Sequence, residues 1–322
     1  MADRTRVAVI FGGRSGEHEV SCRSALSVLT HLDPSRYDAR PVRITPAGTW
    51  VPGKAAETLE DLLALDSPEG ALGSIAEAVG AFDDVDVVFP VLHGRYGEDG
   101  ATQSVLEMTG RPYVGSGVFA SAAGVDREFT TKLLVADGLP VADAVALRGG
   151  ETVSDVDRER LGLPVFVKPS RTGSGPGVSK VDTWGELPAA LAEARESGGK
   201  VLVEEAGPGR EVDVGVLEHP DGRLEVGSPL DPGLDPSIID QLRDCAVRTF
   251  RALDCRGLLR VAFFLRYGTQ PVVTDVNTFP AFTAQSPYPR MFRAGGLDYP
   301  ALLDVLIETA LARGVRRRAL RA

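Results

Sequence analysis

Apolar and polar positions follow two rhythms along this chain. Short runs rich in β-branched residues, Arg6 to Phe11, Val87 to Leu92, Val165 to Lys168, Lys200 to Glu205, Val212 to Leu217, Leu258 to Leu265 and Pro271 to Val276, read as strands. A further strand is expected near Val141 to Leu147. Between runs, apolar positions recur at helical spacing. Val20, Ala25, Val28, Leu29 and Leu32 mark one face of a helix, Val118 to Asp137 has helical character, and Pro236 to Leu253 reads as another helix. Strands alternating with helices predict an α/β architecture with largely parallel sheets. No segment repeats.

Composition sets outer limits. A chain of 322 residues with 43% hydrophobic content is long enough for two or three packed domains. A formal charge of -10 argues against a broad nucleic-acid surface. The one basic cluster, Arg313 to Arg321, follows the last apolar helix like a solvated tail. No apolar run approaches the roughly 20 residues needed to span a bilayer, so no membrane partner is expected. The opening MADRTRVAVIF lacks a signal peptide's apolar region, which predicts a cytoplasmic protein. Cys22, Cys245 and Cys255 are odd in number and lack metal-ligand spacing, so they are expected as free thiols.

Candidate chemistry gathers where apolar runs break off. Val87 to Leu92 ends abruptly in HGRYGEDG, where His93, Arg95, Glu98 and Asp99 stand among three glycines. A buried strand whose carboxyl end opens into a ligand crevice ends this way. The first strand runs into GGRSGEHEVS, a glycine turn before a helix, which can aim backbone amides at an anion. It is neither a dinucleotide fingerprint nor a P-loop, and a simple tight turn would also account for it. In KPSRTGSGPGVSKV, Lys168 closes a strand ahead of a glycine-rich tip carrying Ser174, and Val178 to Val181 completes a hairpin. A lysine there can neutralise phosphate while loop amides cover its oxygens, although plain glycine hairpins are equally common. Acids at strand ends, Glu204, Glu205 and Glu211, suit amine and ribose hydroxyls. Asp275 and Asn277 lie two apart on a strand and face one side. With phosphates nearby, such oxygen donors could hold magnesium.

Taken together, these motifs resemble the D-alanine–D-alanine ligase family of ATP-grasp enzymes over the whole chain. GGRSGEHEVS, LHGRYGEDG, KPSRTGSGPGVSKV, GREVDV and DVNTFP stand in the family's order and spacing. The resemblance implies an α/β and α+β fold: a Rossmann-like pre-ATP-grasp substrate domain over 1–116, then ATP-grasp subdomains over 117–203 and 204–322. It implies ATP and Mg2+ as cofactors, small amino-acid substrates and a homodimer. Catalytic roles would fall to Glu17, which faces the first substrate's amino group, to Ser174 over the active site, and to Arg260 at the tetrahedral oxyanion. His93 and Glu98 would line the substrate pocket. Arg127, in place of a lysine, and Lys168 would contact ATP phosphates, Glu204 the adenine side and Glu211 the ribose. Asp275 and Asn277 would bind magnesium.

The same resemblance exposes departures. The segment between Glu211 and Arg260 is short, and EHPDGRLEVGSPLDPGLDPS lacks the tyrosine and lysine of the family's lid loop. Ala262 stands where the family has a metal-binding aspartate. Gly175 and Pro176 alter the serine loop, and Ala281 replaces a glycine. Two readings follow. One is an ATP-dependent carboxylate–amine ligase whose open lid suits a bulkier acceptor. The other is a catalytically impaired relative that binds nucleotide or an amino acid.

Overall fold

In the computed structural model, strand β1 (Thr5–Gly12) leads through a glycine turn into helix α1 (His18–His31). The structure describes residues 4–53, 71–171, 177–207 and 209–319. β1 pairs in parallel with β2 (Tyr37–Ile44) on one side and β4 (Val87–Leu92) on the other, and β3 (Trp50–Pro52) closes one edge. β4 is buried along its whole length, because this sheet is covered on both faces. Val7, Val9 and Phe11 share a core with Val28, Phe89, Leu302 and Leu306. The alternate residues Ala8 and Ile10 pack with Ala78, Phe82, Val88 and Leu106. Besides Val88 and Phe89 of β4, those partners come from α1 and α10 (Tyr299–Ala319) on one face, and from α2 (Ala71–Ala81), the turn after it that carries Phe82, and α3 (Ala101–Thr109) on the other. The last helix therefore returns to the first sheet. Tyr37 donates to Asp304 at 2.8 Å across that contact.

The remaining strands correct the expectation of largely parallel sheets. β5 (Ala144–Arg148), β6 (Val165–Pro169), β7 (Ser179–Val181) and β8 (Lys200–Glu205) form one sheet in the order β5-β8-β6-β7, antiparallel throughout. β9 (Glu211–Glu218), β10 (Leu224–Val226), β11 (Leu258–Arg266) and β12 (Gln270–Asn277) form another, also antiparallel. Hydrophobic rhythm reports that a strand is buried and says nothing about its neighbour's direction. Here β9 and β10, like β11 and β12, follow each other through connections too short for a parallel crossover. One face of each sheet carries helices. Leu187, Leu191 and Ala194 of α7 (Leu187–Glu196) pack on Val165, Val167, Val201 and Val203, with Leu161 of α6 (Asp155–Leu161). Leu242, Ala246 and Phe250 of α8 (Pro236–Ala252) pack on Val214, Val216, Val261 and Phe263. Asp235 caps α8 by accepting from Ser237 N at 2.8 Å, with proline as the first helical residue. α9 (Pro287–Ala294) adds Tyr288, Met291 and Phe292 to the first core. The three cysteines are buried free thiols.

The helical stretch from Val118 to Asp137 is two helices, α4 (Val118–Val125) and α5 (Arg127–Ala136). Asp126 between them is extended, with φ -94° and ψ 94°. Its buried carboxylate accepts from Ser170 Oγ at 3.0 Å, Arg171 Nε at 2.6 Å and Lys200 Nζ at 2.5 Å. Three donors from another sheet outweigh the local helical preference. The break places Arg127 at the head of α5, over the cleft.

Candidate functional site

Two loops are knitted together at the carboxyl ends of β1 and β4. Gly12 and Gly13 have φ of +91° and +102°, and a Cβ on Gly12 would stand 2.2 Å from Ile44 O, so the turn needs glycine. Ser21 of α1 accepts from Gly12 N at 2.7 Å and donates to Val91 O at 2.5 Å, tying the strand ends to the helix. Ser15 donates to His93 O at 2.7 Å and accepts from Glu17 N at 3.2 Å. These bonds set Glu17, at the head of α1, beside the loop that holds Glu98. A Cβ on Gly94 would lie 3.6 Å from Glu17 Oε1, so glycine there keeps the approach open.

His93 is 3% exposed and serves as a strut. Its Nδ1 lies 3.1 Å from Phe279 O and its Nε2 3.4 Å from Ser24 Oγ, which leaves Nδ1 protonated and Nε2 accepting. Burial pushes its pKa down to about 4, so it is neutral. Burial pushes Glu98 the other way, to about 8, with the charge of Glu17 adding to the effect. Glu17 is likewise raised by burial. The pocket at these loops thus crowds acids, while the loops' own cations, Arg14 and Arg95, lie over the Tyr96 ring at 5.5 Å and 4.9 Å from its centroid.

Across the cleft, Lys168 of β6 and Glu204 of β8 form an ion pair at 2.8 Å, with side chains 12% and 7% exposed. Burial raises the Glu204 pKa against the opposing pull of Lys168. Arg127 Nε lies 3.1 Å from Asp275 Oδ1. Arg260 reaches Asp275 Oδ2 at 4.0 Å and Asp213 Oδ2 at 3.8 Å, while its Nε is buried with no hydrogen-bond partner among the described residues. Strand register explains this cluster. Ala262 on β11 stands between Asp213 on β9 and Asp275 on β12, and Arg260 stands between Gly215 and Asn277. Positions two apart share a face, so both rows front one cleft. Asp275 also bears on the charge of Glu98, which brings the β12 end toward the pocket of the first sheet.

Of the residues expected from sequence, Glu17, His93 and Glu98 come together at the first sheet's loops. Arg127, Lys168, Glu204, Arg260, Asp275 and Asn277 come together between the other two sheets, and Glu211 starts β9 two residues before Asp213. Ser174 lies outside the described residues. Asp213 was not among the expected site residues, although its spacing from Glu211 in GREVDV puts both on one strand face. Asp126 and Lys200 carry no comparable signal, since their pairing joins distant segments.

The shortened segment is held down along its length. Gly227 N donates to Gly215 O at 2.9 Å, Ser228 N to Met291 O at 3.1 Å, and Arg210 pairs with Asp231. Among the described residues, no three His, Cys, Asp or Glu side chains are grouped to hold a metal ion. No described helix is long and apolar enough to cross a membrane.

Comparison with known proteins agrees along the whole chain. The family described as D-ala D-ala ligase N-terminus matches residues 6–116. The family described as D-ala D-ala ligase C-terminus matches residues 133–231 and 228–308, two pieces that meet at the shortened segment. A D-alanine–D-alanine ligase of Nocardia farcinica is 49% identical over 364 aligned positions, covering 99% of this chain and 100% of the relative. That alignment is longer than the chain's 322 residues, so the relative carries sequence that this chain lacks. The solved D-alanine–D-alanine ligase of Coxiella burnetii superposes with a TM-score of 0.87 at 31% identity, covering 99% of this chain and 97% of that one. A D-Ala:D-Ser ligase of Enterococcus faecalis gives 0.82 at 31% identity, covering 96% and 100%. A Bacillus anthracis D-alanine–D-alanine ligase complexed with ATP gives 0.80 at 26% identity, covering 97% and 99%.

Proposed function

We propose a mechanism for this chain, which belongs to the D-alanine–D-alanine ligase family and is an ATP-dependent ligase that forms amide bonds. The observation that carries the mechanism is the facing of two charge sets across one cleft: acids on the loops of the first sheet, and Lys168 on β6, Arg260 on β11 and Arg127 at the head of α5. The acids suit the ammonium group of an amino acid. The bases suit phosphate and a developing oxyanion.

A carboxylate resists attack by an amine. The ATP γ-phosphoryl group is therefore transferred to a carboxylate oxygen of the first amino acid, forming an acyl phosphate and releasing ADP. The amine of the second amino acid attacks the acyl carbon, and the tetrahedral oxyanion collapses with loss of phosphate. Lys168 and Arg127 hold phosphate oxygens, and Glu204 and Glu211 receive the nucleotide's amine and ribose. Glu17 fixes the first amino group. Arg260 meets the oxyanion with its planar guanidinium, whose buried Nε has no hydrogen-bond partner among the described residues. Positioning supplies the rest of the acceleration, as in other phosphoryl-transfer sites.

Asp275 and Asn277 fit Mg2+ as a two-donor oxygen set, because that ion takes one or two carboxylates and completes its shell with phosphates and water. When bound, it would neutralise phosphate charge. Arg127 competes for Asp275, and Ala262 offers no donor, so ATP phosphates would carry much of the coordination.

D-alanine is the default substrate, with a homodimer in the cytoplasm as the working form. The pinned, shortened connection before α8 favours a second reading in which the acceptor is bulkier. ADP release with ATP and Mg2+ tests both, comparing D-alanine, no amino acid and a panel of other amino acids. D-alanine-dependent turnover supports the first reading, and turnover only with another amino acid supports the second. No turnover with any of them, despite measurable ATP binding, refutes the mechanism.

A further inference from the structure

Glu98 is a partly exposed residue whose carboxyl points inward. Its carboxylate accepts from Gly94 N–H, and its Oε2 is out of solvent contact with no hydrogen-bond partner among the described residues. Ionised in that position, it would be a buried charge without a counterion, which is the costly state for a carboxylate. The charges that bear most on it are Glu17 at the head of α1, Asp275 on β12 and Asp99 in its own loop, all acidic, while Arg14 of the facing loop and Arg95 of its own are stacked over the Tyr96 ring. His93 cannot help, since it is neutral and committed to Phe279 O and Ser24. Arg127 and Arg260 are turned toward Asp275 and Asp213.

We propose that Glu98 holds a proton in the ligand-free site and surrenders it to solvent when a substrate ammonium group settles between it and Glu17. The inference rests on the assignment of that pocket to the amino group of the first substrate. Two neighbouring carboxyl groups cannot both ionise cheaply without a cation between them. Before binding, the pair carries one negative charge, on Glu17. After binding, two carboxylates face one ammonium, and the net charge is again minus one. One O–H bond of Glu98 breaks and one proton leaves for each amino acid taken in. The pocket stays close to neutral at both stages, and the ammonium gains two ionic partners where the empty site could sustain one. The midpoint near 8 in the ligand-free site agrees with this arrangement. A neutral isostere of the substrate, lacking the ammonium, would leave the proton in place. Glu98 would thus select for a cationic amino group.

The full chain labelled with carbon-13 at the glutamate carboxyl carbons tests this by NMR between pH 5 and 9.5, as wild type and as Glu98→Gln, first without ligand and then with saturating D-alanine. One carboxyl should titrate near pH 8 in the ligand-free wild type and be absent from the variant. D-alanine should bring that carboxyl to its ionised shift at pH 7. Wild-type affinity for D-alanine should weaken toward tenfold per pH unit well below 8, and the variant's should be flat. The inference is overturned if every glutamate titrates below pH 6 without ligand, if the carboxyl keeps its proton with D-alanine bound, or if Glu98→Gln retains the wild-type slope. Should D-alanine move no resonance while the carboxyl still titrates near 8, the fault lies with D-alanine as the substrate. Methylammonium then serves as the probe: ionisation of Glu98 upholds the handover, and no change overturns it.

Discussion

Replacing Ala262 by aspartate puts a third carboxylate into the row formed by Asp213, position 262 and Asp275. Directly opposed Cβ atoms on paired strands stand about 5 Å apart. At an effective dielectric of about 20, two unit charges at roughly that distance repel by about 3 kcal/mol. The new carboxylate has such a neighbour on each side. Arg260, at 3.8 Å and 4.0 Å from the two existing acids, offsets part of this. The cost also has a ceiling, because the new group can keep its proton. Holding a proton against an ordinary aspartate pKa of about 3.9 costs about 4 kcal/mol at pH 7 and about 1.5 kcal/mol at pH 5. Asp213 and Asp275 are 35% and 28% exposed, so screening trims the pH 7 figure toward about 2 kcal/mol. Burial already raises the Asp213 pKa, a sign that the row resists more negative charge. Urea denaturation of wild type and Ala262→Asp, followed by circular dichroism in EDTA, should therefore show a deficit in the variant that grows from pH 5 to pH 8. Adding ATP and Mg2+ should stabilise the variant more than the wild type, since the ion then has a second carboxylate. Equal deficits at pH 5 and pH 8, or an equal gain from ATP and Mg2+, would refute this account of the row.

Lys168→Ala should abolish most ATP affinity and leave the buried Glu204 without its partner, a loss of about 3–5 kcal/mol. Adding Glu204→Gln should recover stability without recovering fluorescent-ATP binding, and a double variant that binds ATP like wild type would exclude Lys168 from the phosphates. His93 supplies a pH signature of opposite sign to that of Glu98. Its folded pKa of about 4 lies below the ordinary value of 6.5, so the unfolded chain takes up the proton first as pH falls. Its contribution is fully present above 6.5 and is lost as pH falls from 6.5 to 4, by up to about 3 kcal/mol. His93→Gln should flatten that part of the denaturation profile between pH 7 and 4.5. An unchanged slope would show that His93 is not the group responsible.

The motifs were legible because each is local. A hydrophobic run ending in glycines and charges marks a strand that opens into a cleft, and β4 with HGRYGEDG is built that way. Spacing by two put Asp275 and Asn277 on one face, and the same rule applied to GREVDV would have added Asp213. The break at Asp126 was not legible, since nothing between Val118 and Asp137 reveals that Arg171 and Lys200 will converge on that carboxylate. Strand direction was not legible either.

Sequence alone determined the strands other than β2, β3 and β10, the helices α1 and α8, the family and the residue types around the cleft, because those follow from periodicity and from motifs a few residues long. Only the tertiary structure decided which charges meet. Lys168 finds Glu204 on a neighbouring strand, Arg127 finds Asp275 from the head of α5, and Glu98 is left beside Glu17 without a cation. Burial and distance between remote segments set those pairings and the protonation states that go with them, and neither quantity exists until the chain has folded.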